Sequence, residues 1–375
     1  MTAVKLEMCS PCLFGLEGPL ASELRRMKME NVRAENGRVC FSGTERELAK
    51  ANIRLRFGER VLIELGAFPA RTFDELFEGV KALPWERFIP RNGAFPVKGH
   101  CLDSRLESVP ACQKIIKKAV VDRLSEWYDI NWFREDGDIY QIQFSVMKDT
   151  AYLYLDTSGA GLHKRGYRPA HVAAPLRETL ASAMVDLARY RGRGDFCDPF
   201  CGSGTIAIEA ALAAKGRAPG LNRSFSAEKW RCFDPRIWQE AREEARAREF
   251  SGDYRIYASD IDPEAVEIAE KNARRAGVDD IIRFSVADAA KFDRGTDEGV
   301  IVTNPPYGER LMEKQSAEAL YKQFGDALRA LGSGDGWKKY ILSSHTEFER
   351  GFGRTADKKR KLYNGMIKCE LYMYF

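Results

Sequence analysis

The chain has 375 residues, 44% of them hydrophobic and 30% charged, which is enough for packed cores and for two or three domains. No apolar stretch reaches the ~18 residues of a membrane span. The first twenty residues lack a charged-then-apolar signal pattern, so a cytoplasmic location is expected. Nine cysteines, an odd number without paired spacing, fit a reduced protein better than a disulfide scaffold. Cys9 and Cys12 form a lone C-x-x-C with no second pair or nearby histidine, and no metal is expected.

Residues 1–55 predict a short strand start at 12–16, a helix at 18–27 and a hairpin-like stretch at 32–41, together a small α+β unit. Residues 56–157 predict a strand at 60–68, a helix at 73–82, a strand at 94–98 and a helix at 108–128. Strands at 139–147 and 150–156 follow, and their period-two alternation on either side of Lys148-Asp149 signals a hairpin. On the helix from 108, Lys114, Lys117 and Lys118 share one side and Arg105 precedes it. A solvated helix face and a surface tracking an RNA backbone explain these equally well. Residues 158–170 read as a basic linker. From 171 to 375 strands and helices alternate as a parallel sheet requires, closing with strands at 339–343 and 367–374, the last as an antiparallel partner.

The net charge of +4 is small for a nucleic-acid binder, but its distribution is uneven. Residues 1–160 carry 23 basic and 23 acidic side chains, residues 161–193 carry seven against two, and residues 338–361 eight against three. Two basic runs beside a base-sized pocket suit phosphate contacts.

That pocket is drawn by four strand ends. Phe196-Cys197-Asp198-Pro199-Phe200-Cys201-Gly202-Ser203-Gly204-Thr205 closes a strand on an acid, turns through Gly-x-Gly and opens an alanine-rich helix. The helix N-terminus favours electron-rich ligand atoms, and glycine admits a close ligand. Ala207 stands where a dinucleotide fingerprint has its third glycine, and Asp198 is better placed to accept from the ammonium of an amino acid. The strand 254–260 ends at Asp260, where a ribose diol sits in a doubly wound sheet. Asp262 reads as a cap for the helix over 264–276. The strand 281–288 ends at Asp288, suited to an adenine amino group. These match the parts of S-adenosylmethionine. The fourth site, Thr303-Asn304-Pro305-Pro306-Tyr307-Gly308, follows the apolar run Gly299-Val300-Ile301-Val302. The prolines hold nearby carbonyls outward, leaving the Asn304 and Pro305 oxygens as two acceptors beside the Tyr307 ring. Such a shelf is complementary to a planar exocyclic amine on a nucleobase or an amide.

Residues 196–308 resemble a class I S-adenosylmethionine-dependent methyltransferase of the amino-group type. The whole chain resembles the bacterial THUMP-domain RNA guanine-N2 methyltransferases that act on large-subunit ribosomal RNA. Matching segments include Leu162-His163-Lys164-Arg165-Gly166-Tyr167-Arg168, Ala174-Pro175-Leu176-Arg177-Glu178-Thr179-Leu180-Ala181, Asn222-Arg223-Ser224-Phe225 and Arg360-Lys361-Leu362-Tyr363-Asn364-Gly365. The match extends through residues 72–85 and 106–118. The resemblance implies an α/β architecture: a Rossmann-like methyltransferase domain over 171–375, with a seven-stranded, mostly parallel sheet. A ferredoxin-like unit over 1–55 and a THUMP RNA-binding domain over 56–157 precede it.

The resemblance implies S-adenosylmethionine as cofactor, held by Asp198, Pro199, Cys201, Gly202, Ser203, Gly204, Thr205, Asp260, Ile261 and Asp288. It puts the chemistry at Asn304, Pro305, Pro306 and Tyr307, with the target base flipped onto the shelf. RNA contacts are expected at Arg105, Lys114, Lys117, Lys118, Lys164, Arg165 and Arg168, and the RNA is 23S rRNA or a large-subunit assembly intermediate. Methylation of tRNA guanine, of adenine N6 in RNA or DNA, or of a glutamine amide stays open, because each presents a planar amine. A thiouridine-forming THUMP enzyme would need a P-loop-like ATP site, which the sequence lacks. A non-catalytic RNA-binding or ribosome-assembly role is opposed by the intact Asp198, Asp260, Asp288 and Asn304. Glu309 and Arg310 have chemistry suited to guanine N1–H and O6, and equally suit a solvated helix start.

Overall fold

The computed structural model describes residues 5–168, 176–291, 298–307, 311–330 and 336–375. Packing divides them into two compact units. The first comprises the chain up to Cys12, Ala21–Leu162 and Arg223–Glu244; the second comprises Leu13–Leu20, His163–Asn222 and Ala245–Phe375.

The N-terminal elements are β1 (Leu6–Pro11), α1 (Glu17–Arg26), β2 (Glu30–Glu35), β3 (Arg38–Gly43), α2 (Glu45–Arg54) and β4 (Leu62–Pro69). They continue with α3 (Phe73–Lys81), β5 (Val97–Leu102), α4 (Val109–Tyr128), β6 (Ile142–Met147) and β7 (Thr150–Asp156). The first unit holds one seven-stranded sheet in the order β2-β3-β1-β4-β7-β6-β5. Only its β5–β6 pair is parallel. The sheet is continuous across the two predicted N-terminal modules because β1 pairs with β4, Met8 opposite Ile63.

Two local differences from the sequence reading have physical causes. Residues 12–16 turn rather than extend, with the Leu16 N–H donating to the Leu13 carbonyl. The strand lies upstream, where Leu6, Met8 and Cys9 are buried. Helix α2 was not anticipated. It starts at a capping box: the Thr44 hydroxyl accepts from the Arg46 N–H at 3.2 Å, and the Glu47 carboxylate accepts from the Thr44 N–H at 3.0 Å. The Lys148-Asp149 hairpin is present, both residues taking positive φ (50° and 58°) as a tight right-twisted hairpin demands.

The C-terminal elements begin with α5 (Glu178–Leu187), β8 (Asp195–Asp198), α6 (Thr205–Ala214), α7 (Arg236–Arg246), β9 (Arg255–Asp260), α8 (Pro263–Ala276) and β10 (Ile282–Val286). They end with β11 (Gly299–Thr303), α9 (Leu311–Ala330), β12 (Trp337–Ser343), α10 (Phe348–Phe352), β13 (Lys358–Asn364) and β14 (Ile367–Tyr374). Although it follows α6 in the chain, Arg223–Glu244 packs with the first unit. There Trp230 stacks on Tyr140 with ring centroids 4.8 Å apart, and its indole N–H donates to the Ile139 carbonyl.

The second unit's sheet has the order β10-β9-β8-β11-β12-β14-β13. Strands β10 to β12 are parallel; β14 is antiparallel to both β12 and β13. The lysine-rich β13 was not anticipated, because its apolar content is low and its pairing with β14 supplies the order instead. The chain leaves β8 toward β9 and β10, then returns to β11 on the other side. Loops after β8 and β11 therefore diverge and open a crevice at the strands' carboxyl ends. Beside it, α9 and α10 pack Tyr321, Phe324, Phe348 and Phe352 against Trp337, Tyr372 and Tyr374.

Candidate active site

Asp198 ends β8 and is 1% exposed. Its Oδ1 accepts from the Thr303 hydroxyl at 2.7 Å, a residue delivered by the end of β11. Its Oδ2 is buried with no hydrogen-bond partner among the described residues. Burial outweighs the hydrogen bonds from Thr303 and the Phe200 N–H, and Asp260 adds repulsion, so the carboxyl is pushed up to about 7. A buried oxygen left bare in this way is an acceptor awaiting a donor, best a cationic one.

The turn after Asp198 is tied to the scaffold on both sides. The Cys201 N–H donates to the Ser259 carbonyl at 2.9 Å. The buried Asn272 of α8 donates its amide to the Ser203 carbonyl at 3.0 Å. Gly204 caps α6 with φ +81°, and a Cβ there would lie 2.9 Å from the Ala269 Cβ, so only glycine fits. Thr205 then begins α6, almost all of which is buried.

Asp260 ends β9, and both its oxygens already accept backbone bonds, from Gly202 at 2.8 Å and Asp262 at 3.1 Å. These aim the carboxylate and leave lone pairs for further donors. Asp262 caps α8, accepting from the Glu264 N–H at 2.9 Å, which separates the two acids by role. Ile261 is 72% exposed, and Val286, paired with Asp260 in the ladder, is 56% exposed. Two bare apolar side chains at a strand edge suit the faces of a flat ring. Asp288 accepts from the Ala290 N–H at 2.8 Å and from the Gln323 amide at 3.3 Å.

On the other side of β8, the shelf Asn304–Tyr307 follows β11. The Tyr321 hydroxyl, from α9, donates to the Pro306 carbonyl at 2.6 Å and holds the diproline in place. The Asn304 Oδ1, expected to stand ready for an amine, accepts instead from the Tyr307 hydroxyl at 2.5 Å. That hydroxyl lies 3.8 Å from the Cys369 Sγ on β14.

Family models match three segments: a ferredoxin-like domain of RlmL type over residues 7–62, a THUMP domain over 70–156, and an RMKL-like methyltransferase domain over 165–373. The chain belongs to the RMKL-like methyltransferase family. It is 44% identical over 374 residues to the "Putative RNA methyltransferase YpsC" of Bacillus subtilis, covering 99% of this chain and 96% of that one. It is 36% identical to the "Ribosomal RNA large subunit methyltransferase K/L" of Psychromonas ingrahamii, covering 97% of this chain but 49% of the relative. The chain thus spans about half the length of that K/L relative. Among solved structures, "SMU.472, a putative methyltransferase complexed with SAH" superposes with a TM-score of 0.93 at 39% identity, covering 100% of this chain and 99% of that one.

That neighbour carries SAH, the demethylated form of S-adenosylmethionine, and the residues present here fit the same cofactor. The bare Asp198 Oδ2 suits an ammonium, the Asp260 carboxylate suits a diol, and Ile261 with Val286 suits a purine. Among the described residues no cluster of three or more potential ligands gathers for a metal, and no helix is long and apolar enough to cross a membrane.

The expected RNA-contact residues divide. Arg105, Lys114, Lys118 and Lys164 are exposed. Lys117 is engaged within its own unit, 3.5 Å from the Phe95 ring centroid and 2.6 Å from Glu135. Arg165 needs correction as a phosphate contact. It is 3% exposed and pairs at 3.4 Å with Glu209, which also accepts from the Tyr167 and Ser182 hydroxyls. Arg168 is likewise turned inward, bidentate to Glu178 at 2.9 and 2.6 Å, with Nη1 3.3 Å from the Thr205 hydroxyl. The 162–168 motif therefore braces α5 and α6. Glu309 and Arg310, along with Ala174 and Pro175, lie outside the described residues.

Sequence reasoning missed Thr303, Asn272, Val286 and Tyr321. Thr303 was visible as the residue before the shelf. Nothing in the pattern of α9 distinguishes Tyr321 from a core aromatic.

Proposed function

We propose that this chain methylates the exocyclic N2 amine of a guanine in large-subunit ribosomal RNA, with the base flipped out of the RNA onto the Asn304–Tyr307 shelf. The observation that carries the reading is one crevice with two differently built walls. On one side a buried carboxylate waits for a cation; on the other is an amide-and-proline shelf for an amine. The THUMP match and the rRNA methyltransferase relatives support RNA as the substrate.

In this reading Asp198 holds the cofactor's ammonium, Asp260 its ribose, and Asp288 with Ile261 its adenine, while Gly202, Ser203, Gly204 and Thr205 let it approach the backbone. When bound, the cofactor supplies an electrophilic methyl group on its sulfonium. An exocyclic amine is a weak nucleophile because its lone pair is delocalised into the ring. Asn304 Oδ1 releases the Tyr307 hydroxyl and accepts one amine N–H, and the Pro305 carbonyl accepts the other. The lone pair is thereby aimed at the methyl group, and the Tyr307 ring stacks on the base. As the C–N bond forms, the methyl–sulfur bond would break with its electron pair staying on the departing thioether; the amine proton becomes acidic only then and passes to solvent, so no strong base is needed. Alignment of this kind contributes on the order of 7–11 kcal/mol, against an unstacking cost of about a few kcal/mol.

The test is to treat unmodified ribosomal RNA with the protein and cofactor, digest it and identify the nucleoside by mass spectrometry. N2-methylguanosine is expected. N6-methyladenosine with no methylated guanosine above background would refute the guanine assignment and leave the general amino-methyltransferase reading.

A further inference from the structure

Two segments have no part in the site described: Leu13-Phe14-Gly15 and the Arg360–Gly365 motif. The fold joins them. The Arg360 guanidinium donates to the Gly15 carbonyl at 2.6 Å, and the Gly15 N–H donates to Glu17 Oε2 at 2.9 Å. Gly15 has φ +91°, and a Cβ there would meet the Lys361 carbonyl at 3.0 Å, so the loop sits on β13 in a way only glycine permits.

This anchoring holds Phe14 against Tyr363 edge to face, with centroids 6.1 Å apart and planes at 68°, while Phe14 stays 52% exposed. The Lys361 ammonium lies 5.5 Å from the Tyr363 ring centroid. Lys368 is the cross-strand partner of Tyr363, and Met366, at the hairpin tip, is 98% exposed. Residues 358–370 carry five basic side chains against one acidic. From its other face the same hairpin reaches the shelf, where Cys369, opposite Leu362, touches the Tyr307 hydroxyl.

Lysines on an open edge strand are ordinarily protection against strand pairing. That accounts for the charge of β13. It does not account for an exposed phenylalanine pinned beside a tyrosine, nor for a bare methionine at the tip. Aromatic faces among cations, in a fixed arrangement, are what a single-stranded nucleic acid uses for stacking and backbone contact.

We propose that Phe14, Tyr363 and Met366, flanked by Lys361 and Lys368, form a stacking platform for an unpaired nucleotide of the RNA next to the flipped target base. The platform receives a base by its face, without reading the base's edge, and the lysines meet the adjoining phosphates. This rests on the proposed RNA methyltransferase function.

The test uses the full chain and a fluorescein-labelled stem-loop RNA of mixed sequence, read by anisotropy. Methyl transfer to ribosomal RNA and calorimetric S-adenosylhomocysteine affinity are measured in parallel. Phe14→Ala and Phe14→Leu should each weaken RNA binding about 5- to 150-fold, the range for loss of one stacked base. Phe14→Trp should restore it, and cofactor affinity should not move in any of the three. Lys361→Ala should lower the slope of log affinity against log salt by about one phosphate contact. Unchanged RNA affinity in both Phe14→Ala and Phe14→Leu, with the wild type methylating RNA normally, would overturn the platform alone. A wild type that neither binds nor methylates RNA would overturn the functional reading and the platform with it.

Discussion

The two walls of the crevice are built on different principles. The wall proposed to hold the cofactor is fixed by hydrogen bonds that each engage a backbone group: Cys201 to Ser259, Gly202 and Asp262 to the Asp260 carboxylate, and the Asn272 amide to Ser203. Two of its buried oxygens have no hydrogen-bond partner among the described residues, Asp198 Oδ2 and Asn272 Oδ1. The acceptor wall has met its own demand, because the Tyr307 hydroxyl already sits on Asn304 Oδ1. One wall has its free energy of binding waiting in a desolvated carboxylate. In the proposed reading the other exchanges the Tyr307 hydroxyl for one amine N–H at Asn304 Oδ1 and adds a second at the Pro305 carbonyl, and it acts mainly by aiming. Loss of a cofactor-wall residue should therefore appear in cofactor affinity, and loss of the amine acceptor Asn304 in rate.

The largest effect is expected at Asn304. Asn304→Ala removes the acceptor that aims the amine, and by analogy with loss of a single well-placed polar group at a transition state, turnover should fall at least about 100- to 1000-fold. Tritium transfer at saturating RNA checks this. Next is Asp260→Ala, which deletes charge-assisted hydrogen bonds worth about 1.5–3 kcal/mol each and frees the Gly202 and Asp262 amides. S-adenosylhomocysteine affinity by calorimetry should drop by roughly tenfold or more, with saturated turnover much less affected.

A smaller effect is pH dependence. The fold raises the Asp198 carboxyl from its ordinary value to about 7, so the folded chain binds this proton more tightly than the unfolded one. The contribution of Asp198 to stability therefore declines as pH rises from about 4 to about 7. In the proposed reading the ionised form holds the cofactor's ammonium, so affinity should rise as pH passes through about 7. Calorimetry across that range measures it, and Asp198→Asn should give a weak, flat profile. Smallest is Tyr307→Phe, which uncovers Asn304 Oδ1 but keeps the ring. It should change turnover by less than about threefold, whereas Tyr307→Ala should raise the KM for RNA as stacking is lost.

The parallel sheet and the strand-end acids Asp198 and Asp260 were legible because each follows an apolar run and precedes a glycine turn or a helix start, whereas Asp288 lies two residues beyond the end of β10. Asp262 was legible as a cap for the same reason. The two basic runs were not. By composition, residues 161–193 and 338–361 look alike, yet Arg165 and Arg168 turn inward to Glu209 and Glu178, while Lys358, Lys359 and Lys361 face outward on β13. The partners that decide this lie up to 44 residues away in sequence. The Tyr307–Asn304 bond was hidden because composition does not show where a hydroxyl points, and the Tyr321–Pro306 contact because it depends on where α9 docks.

The division of labour between the walls is tested most directly by measuring two quantities on two variants. S-adenosylhomocysteine affinity and single-turnover methyl transfer to RNA are determined for Asn304→Ala and Asp260→Ala. The account predicts a crossed pattern: Asn304→Ala binds the ligand like the wild type and scarcely transfers, while Asp260→Ala binds weakly and transfers once saturated. Parallel loss of affinity and rate in both variants, or full transfer by Asn304→Ala, would contradict it.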